Sequence, residues 1–269
     1  MCMNYTLDYN KPLRIICLTE ESVETLFAIG AGEQIIGVSS FVRRPLEAQL
    51  LPKISLFTSS NIDKILEKNP DLVLGFSDIQ KDIAKDLIGH GVDVWIANHR
   101  SINETIRYIK SLSLLVGKEE NGKKLIKRIE NKILEAQQFA MQLKVRPRVY
   151  FEEWDEPLIS AIRWVSEVIE MCGGENIFKE KGCHSLAKDR FVEHGDIIEK
   201  NPDIIFACHC GKKVNTDKIL NRDGYQSISA ICNKQVFELE PEIFLQPGPA
   251  PFLDGIDIVL DLFKKWSDR

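Results

Sequence analysis

The chain has 269 residues, of which 44% are apolar and 28% charged, with a formal net charge of −5 and a pI near 5.7. At roughly 100–200 residues per domain this makes two modest domains or one large one, and such an apolar fraction excludes a disordered chain, a collagen, a coiled-coil rod and a small disulfide scaffold. The acidic balance argues against nucleic acid or an anionic membrane as main partner, because phosphate recognition needs a dense basic surface.

Met1 to Pro12 contain no basic stretch followed by an apolar run, the pattern of a secretory signal. No run of about 18 apolar residues occurs, so no membrane insertion is expected. The seven cysteines (Cys2, Cys17, Cys172, Cys183, Cys208, Cys210, Cys232) are odd in number and scattered. They read as free thiols in a reducing compartment, and the expectation is a cytoplasmic protein.

Along the chain, Arg14-Ile15-Ile16-Cys17-Leu18 predicts a strand, Glu20 to Ile29 a helix stopped by Gly30 and Gly32, and Ile35-Ile36-Gly37-Val38 a second strand. Asp71-Leu72-Val73-Leu74 and Val92 to Ile96 predict further strands, each after a helical stretch. This alternation implies an α/β unit with a mainly parallel sheet. From Glu119 to Lys144 apolar residues recur at Ile126, Ile129, Ile133, Ala136, Ala140 and Leu143, which predicts one amphipathic helix about 39 Å long. Arg146-Pro147 is expected to end it.

The pattern then restarts. Leu66-Glu67-Lys68-Asn69-Pro70-Asp71-Leu72-Val73-Leu74 is echoed by Ile198-Glu199-Lys200-Asn201-Pro202-Asp203-Ile204-Ile205-Phe206. Gly32-Glu33-Gln34-Ile35 is echoed by Gly174-Glu175-Asn176-Ile177, and Arg14-Ile15-Ile16 by Arg148-Val149-Tyr150. The fold class is therefore two similar α/β lobes with mainly parallel sheets, residues 12–117 and 147–269, joined by one long helix over 118–146.

Two α/β lobes joined by a long helix resemble the class III substrate-binding proteins of ATP-driven importers, the family that captures cobalamin, haem and iron siderophores. Gly37-Val38-Ser39-Ser40, Glu67 to Val73, and Cys172-Gly173-Gly174-Glu175-Asn176-Ile177-Phe178-Lys179 are similar to its recurring blocks, the last most of all to cobalamin-binding members. The resemblance implies a small-molecule ligand in an interlobe cleft and an ABC permease as partner. Cobalamin importer members carry a permease-docking glutamate on each lobe. The comparable loops here hold Gln80-Lys81 and Lys212-Lys213.

Loops at strand carboxyl ends are where such folds place ligand groups. In the first lobe they offer Phe41, Arg43, Phe57, Ser59, Phe76, Asn98 and Arg100. In the second they offer Glu152, Glu153, Trp154, Arg163, Trp164, Asp189, Arg190, Cys210, Lys212 and Gln246. By the resemblance, Phe41, Phe57 and Phe76 match aromatic positions of cobalamin binders, with Trp154 and Trp164 facing them, which suits a flat conjugated ligand. The charges admit two readings: a salt-bridge network within the protein, or contacts to an ionic ligand. On the second reading an uncharged corrin binds weakly, since Arg43, Arg44, Arg100, Arg163, Asp189, Arg190 and the two glutamates would be desolvated beneath it.

Cys208-His209-Cys210 invites a metal, but zinc needs a second spaced pair, and strand alternation would put the two cysteines on one face and His209 on the other. Cys210, before Gly211-Lys212, is a candidate ligand contact or nucleophile. The favoured function is a cytosolic small-molecule binding protein with no assigned cofactor and a corrinoid or other conjugated, partly anionic metabolite as ligand. The alternatives are an enzyme using Cys210 or the Glu152/Glu153 pair, and a conventional transport component.

Overall fold

The computed structural model describes residues 11–269. Cys2 and nearly all of the amino-terminal stretch discussed above lie outside the described residues. The elements are β1 (Ile15–Cys17), α1 (Glu20–Ala28), β2 (Ile35–Ser39), β3 (Lys53–Ser55), α2 (Ile62–Leu66), β4 (Leu72–Phe76), α3 (Lys81–Gly89), β5 (Val94–Ala97), α4 (Ile102–Leu115) and α5 (Glu119–Ala140). They continue with β6 (Arg148–Asp155), β7 (Leu158–Ser160), α6 (Arg163–Met171), β8 (Glu175–Asn176), α7 (His194–Lys200), β9 (Ile204–Ala207), α8 (Thr216–Leu220), α9 (Ser229–Cys232), β10 (Val236–Glu238), α10 (Pro241–Phe244) and α11 (Asp254–Ser267).

The chain divides into two compact units. One takes the residues up to Asn98 together with Ser111–Gly122, and the other takes His99–Lys110 and Lys123–Arg269. The first unit holds a parallel sheet in the order β3-β2-β1-β4-β5. Strands covered on both faces need apolar residues at every position, which Ile15-Ile16-Cys17 and Leu72-Val73-Leu74 supply, all buried. The second unit orders its sheet β10-β9-β6-β7, with β8 also on β6 and only β7 antiparallel.

The internal repeat has a hydrogen-bonded cause. Asp71 Oδ2 accepts the Arg14 backbone N–H at 2.8 Å, and Asp203 Oδ2 accepts that of Arg148 at 2.9 Å. Each aspartate also donates its own N–H to the carbonyl of the same arginine, at 2.9 and 2.7 Å. Asn69 and Asn201 sit in the left-handed region, φ 46° and 38°, which asparagine tolerates better than most residues. Pro70 and Pro202 follow and bar the preceding helix from continuing. Asn-Pro-Asp thus stops a helix and pins the next strand to its neighbour, once in each unit.

Helix α5 is unbroken but ends at Ala140, earlier than the apolar spacing predicts, so it is about 33 Å long. The chain tightens there through Gln142 N–H to Phe139 O and Leu143 N–H to Ala140 O, well before Pro147. Gly173, at φ +92°, lies against that end. A Cβ on it would meet Leu143 Cδ1 at 2.7 Å and Ala140 Cβ at 2.9 Å. From Lys123 onward α5 belongs to the second unit, with Leu125, Ile129 and Ala136 buried.

Candidate functional site

In the first unit the strand ends carry apolar side chains into solvent. Phe41 follows β2, Leu56 follows β3 and Ile79 follows β4, and each is about half exposed. Phe57 is half-buried, Ser59 and Asn98 are exposed, and Phe76 is buried. Arg43 is tethered by its backbone, which donates to Glu20 Oε1 at 2.9 Å.

Gln80 holds this end together. It is fully buried, its Oε1 accepts the Phe76 N–H at 2.9 Å, and its Nε2 donates to the Phe57 carbonyl at 2.8 Å and to that of Leu18 at 3.4 Å. The sequence reading placed Gln80 in a permease-facing loop. Its side chain instead faces inward, drawn by the unpaired backbone groups where β4 ends and the next loops begin.

In the second unit the charged residues find one another. Glu152 is fully buried near the carboxyl end of β6. Arg222 clasps it with two bonds of 2.5 and 2.9 Å, and His209 Nε2 lies 3.2 Å from Oε1. Burial pushes the Glu152 pKa up, but hydrogen bonds from His209 and Arg222, with the Arg222 charge, outweigh it and hold the carboxylate below its usual range. Burial beside this carboxylate drives the Tyr150 hydroxyl well above its ordinary pKa. Tyr225 packs on Arg222, and its hydroxyl shares a hydrogen bond of 3.0 Å with His194 Nδ1.

Glu153 pairs with a different arginine. Arg190, almost fully buried, reaches it at 2.5 and 2.7 Å and also donates to the Ser160 carbonyl. Arg163 is exposed and bonds Glu167 at 3.1 Å one turn along α6. Arg100 donates through its backbone to Glu104 at 2.7 Å and through its side chain to the Ser185 carbonyl at 3.4 Å, so it belongs to the second unit, not the first. Asp189 is exposed and Gln246 half-buried. Arg163, Arg190 and Arg222 thus pair with carboxylates within the protein, while the Arg100 side chain bonds a carbonyl.

The tryptophans differ. Trp164 is 2% exposed and its indole N–H donates to the Phe244 carbonyl at 2.8 Å, which seats it among core residues. Trp154 is half-buried, with the His209 ring 5.8 Å away and Lys212 Nζ 4.0 Å from its ring centre. Lys212 also binds Asp155, as does Lys218 at 3.3 Å. Burial opposes ionisation of Asp155, yet the bonds from these two lysines lower its pKa to about 2.

The Cys208–Cys210 segment departs from the alternation read in the sequence. β9 ends at Ala207, and Cys208 and His209 are both buried while Cys210 is exposed. His209 turns inward because Glu152 waits there for a donor. Burial raises the Cys208 thiol far above its ordinary pKa, which removes its nucleophilic form. Among the described residues no cluster of three or more His, Cys, Asp or Glu is placed to hold a metal ion. Sequence reasoning missed Arg222, 70 residues from its carboxylate in a turn Asn221-Arg222-Asp223-Gly224 that has no periodicity. Its only signal was indirect: a glutamate inside an apolar strand demands a cation.

A family model described as periplasmic binding protein matches residues 15–243. The vitamin B12-binding protein of Vibrio cholerae is 26% identical over 256 residues, covering 93% of this chain and 89% of that protein. An uncharacterized ABC transporter substrate-binding lipoprotein of Bacillus subtilis, YvrC, is 24% identical over 268 residues, covering 95% and 82%. Among solved structures, the periplasmic heme-binding protein RhuT from Roseiflexus superposes with a TM-score of 0.80 at 23% identity, covering 94% of this chain and 99% of that one. The vitamin B12-binding protein BtuF of Vibrio cholerae gives 0.76 at 24% identity, covering 96% and 99%. These likenesses carry the fold, and the family match across most of the chain settles its membership: this chain belongs to the periplasmic binding protein family.

Proposed function

We propose that the chain is a substrate-binding protein whose ligand is a large conjugated metabolite of the corrinoid or tetrapyrrole class, held by the loops that follow the strands. The observation that carries this reading is the contrast between charge and apolar surface. Glu152, Glu153, Arg190 and Arg222 neutralise one another inside the second unit, while Phe41, Leu56 and Ile79 stand exposed at strand ends of the first. A ligand meeting these loops therefore meets apolar surface without having to desolvate those charges. The curated relatives named for vitamin B12 support the same class. For Glu152, Glu153 and Arg190 the pairing weakens the objection to a corrin that charges at these loops raised.

Titration with cyanocobalamin and with hemin, followed by calorimetry and absorbance, tests the reading. Saturable submicromolar binding of one of them is expected. It should survive Arg163→Ala within about twofold, because an exposed pair one turn apart contributes well under 1 kcal/mol. Failure of both to bind would overturn the ligand class. Native mass spectrometry of protein purified without denaturation would then identify what the chain carries.

A reducing compartment is the proposed location, and recovery of the chain outside the cytosol would instead make an importer permease its partner. The exposed thiols of Cys183, Cys210 and Cys232 support that compartment, since such groups oxidise outside the cell. Fractionation of the native cells tests the location directly. The enzymatic alternative loses its carboxylate pair, because Glu152 and Glu153 are each committed to an arginine.

A further inference from the structure

One residue of the first unit holds a backbone shape that its side chain resists. Ser77 follows β4 with φ 60° and ψ 175°. That combination is essentially confined to glycine, because a Cβ there crowds the backbone, and another residue stays in it only where its surroundings hold it. Here they do. The Ser77 N–H donates to the Ala97 carbonyl at 2.7 Å, its carbonyl accepts the Gln80 N–H at 3.3 Å, and its Oγ accepts the Ile79 N–H at 3.4 Å. On the other side of the serine, Gln80 Oε1 accepts the Phe76 N–H at 2.9 Å. Ser77 and Gln80 are both 0% exposed, so two inward residues bracket Asp78 and Ile79, which are exposed.

The architecture does not demand this strain, and the internal repeat shows why. β4 lies between β1 and β5 as β9 lies between β6 and β10, and counting on from the matched Asn-Pro-Asp units sets Ser77 opposite His209. His209 has no positive φ. The residue after β9 that does is Gly211, at φ +77°, with open space where a Cβ would stand. The second unit thus leaves the equivalent strand with no strained side chain. Asn69 and Asn201, by contrast, take the same positive φ in both units, as a shape shared by the two folds requires. Strain present in one repeat and missing from the other belongs to the task of that strand end, and strained residues gather at binding sites. Ile79 is one of three apolar side chains, with Phe41 and Leu56, that stand about half exposed at strand ends of this unit. Glycine at position 77 would relieve the strain, but it would lose the bond to the Ile79 N–H and free the turn.

We propose that Ser77 is a positioning residue for ligand binding: its strained turn holds Ile79 as a rigid apolar contact for the body of the ligand. A contact already fixed loses less freedom when the ligand arrives, which favours binding. This rests on the ligand class proposed above, whose apolar body meets these strand ends.

The test compares Ser77→Gly, Ile79→Ala and the double variant with the unaltered full chain, for thermal midpoint and for affinity toward cyanocobalamin and hemin. In Ser77→Gly the midpoint should stay or rise, since relief of the strain offsets the extra freedom of glycine in the unfolded chain. Its affinity for whichever probe binds should fall about threefold to tenfold, the ordering cost of a turn no longer held. Ile79→Ala should lose affinity too, and in that background Ser77→Gly should cost less than about twofold, because the turn then has no contact left to place. Unchanged affinity in either single variant would leave the strain without a role in binding. A lowered midpoint in Ser77→Gly would make the serine a structural turn residue. Losses that add in full would mean that Ser77 does not act through Ile79. Each of these overturns the positioning role while the ligand class stands. If the unaltered protein binds neither probe, the ligand class fails and the positioning role falls with it.

Discussion

Replacing Arg222 by alanine removes both hydrogen bonds that the guanidinium makes to Glu152 and leaves a carboxylate with 0% exposure beside His209 and the Tyr150 hydroxyl, with no fixed cation on it. Breaking a buried pair from one side costs about 3–5 kcal/mol, because the remaining charge stays desolvated. His209 remains as a partner, so the lower end, about 3 kcal/mol, is the expected loss for the second unit. At about 2–4 °C per kcal/mol for a unit of this size, its thermal midpoint should fall by roughly 6–12 °C. The sign of the pH dependence follows from the same geometry. In the unaltered protein the Glu152 pKa is depressed, so its contribution is present above the ordinary carboxylate range and fades as pH falls. Without Arg222, desolvation dominates, the carboxyl prefers its proton, and acidification to about pH 5 should recover part of the loss. The double variant Glu152→Leu/Arg222→Met, which removes both charges, should sit much closer to the unaltered protein than Arg222→Ala does. Urea unfolding monitored by circular dichroism at pH 5 and pH 8 measures all three. A loss below about 1 kcal/mol for Arg222→Ala at pH 8, or one that does not shrink on acidification, would refute the buried-pair account.

Glu21, fully buried in α1, has its pKa raised to about 7 by desolvation, partly opposed by the Thr19 hydroxyl. Its neutral form is the folded one, so stability present below pH 4.5 should decline as pH rises toward 7, by on the order of 3 kcal/mol at most, and Glu21→Gln should flatten that slope in urea melts. Gly173→Ala should destabilise the second unit by more than 1 kcal/mol, because it combines a positive φ with Cβ contacts under 3 Å; a neutral result would mean that the end of α5 yields freely. Lys212→Ala uncovers the ring of Trp154 and should shift tryptophan emission while moving stability by less than about 1 kcal/mol. That shift must vanish when Trp154→Phe is added, which assigns it to this ring.

The parts of the fold that were legible in the sequence are those that a local pattern dictates. Asn69-Pro70-Asp71 and Asn201-Pro202-Asp203 announce a helix stop and a strand start, and the same three residues make the same bonds in both units. Helix α5 was visible because its apolar spacing is set by one turn geometry, whereas its end at Ala140 depends on Gly173 packing from a distant segment. β3 escaped notice because Lys53-Ile54-Ser55 holds one apolar residue and sits on the sheet edge, where a single neighbour suffices. At the candidate site, Phe41 and Phe57 were readable as strand-end aromatics, but nothing near Trp164 in the chain reveals that Phe244 caps its indole. Charge pairing was the least readable feature of all. Glu153 and Arg190 are 37 residues apart, and Glu152 and Arg222 are 70 apart, so which charge meets which is a property of the folded sheet.

That pairing changes what a ligand must bring. A loop rich in arginine and glutamate reads as a polar site when each charge is counted singly, since an isolated ion near a closed surface requires an opposite charge. Once Arg190 meets Glu153 and Arg222 meets Glu152, the pairs present little net charge and are already hydrogen-bonded. Buried pairs of this kind add little net stability compared with apolar residues of similar volume, so their presence calls for another reason. One follows from position. Glu152 and Glu153 lie together near the carboxyl end of β6, and their arginines come from separate loops, Arg190 before α7 and Arg222 after α8. Bidentate bonds fix both distance and orientation, so each pair anchors a loop to the strand end with a geometry that apolar contact alone would leave loose. Preorganised loops lose less entropy when a ligand arrives, so under the proposed function these pairs would favour binding without having to touch the ligand.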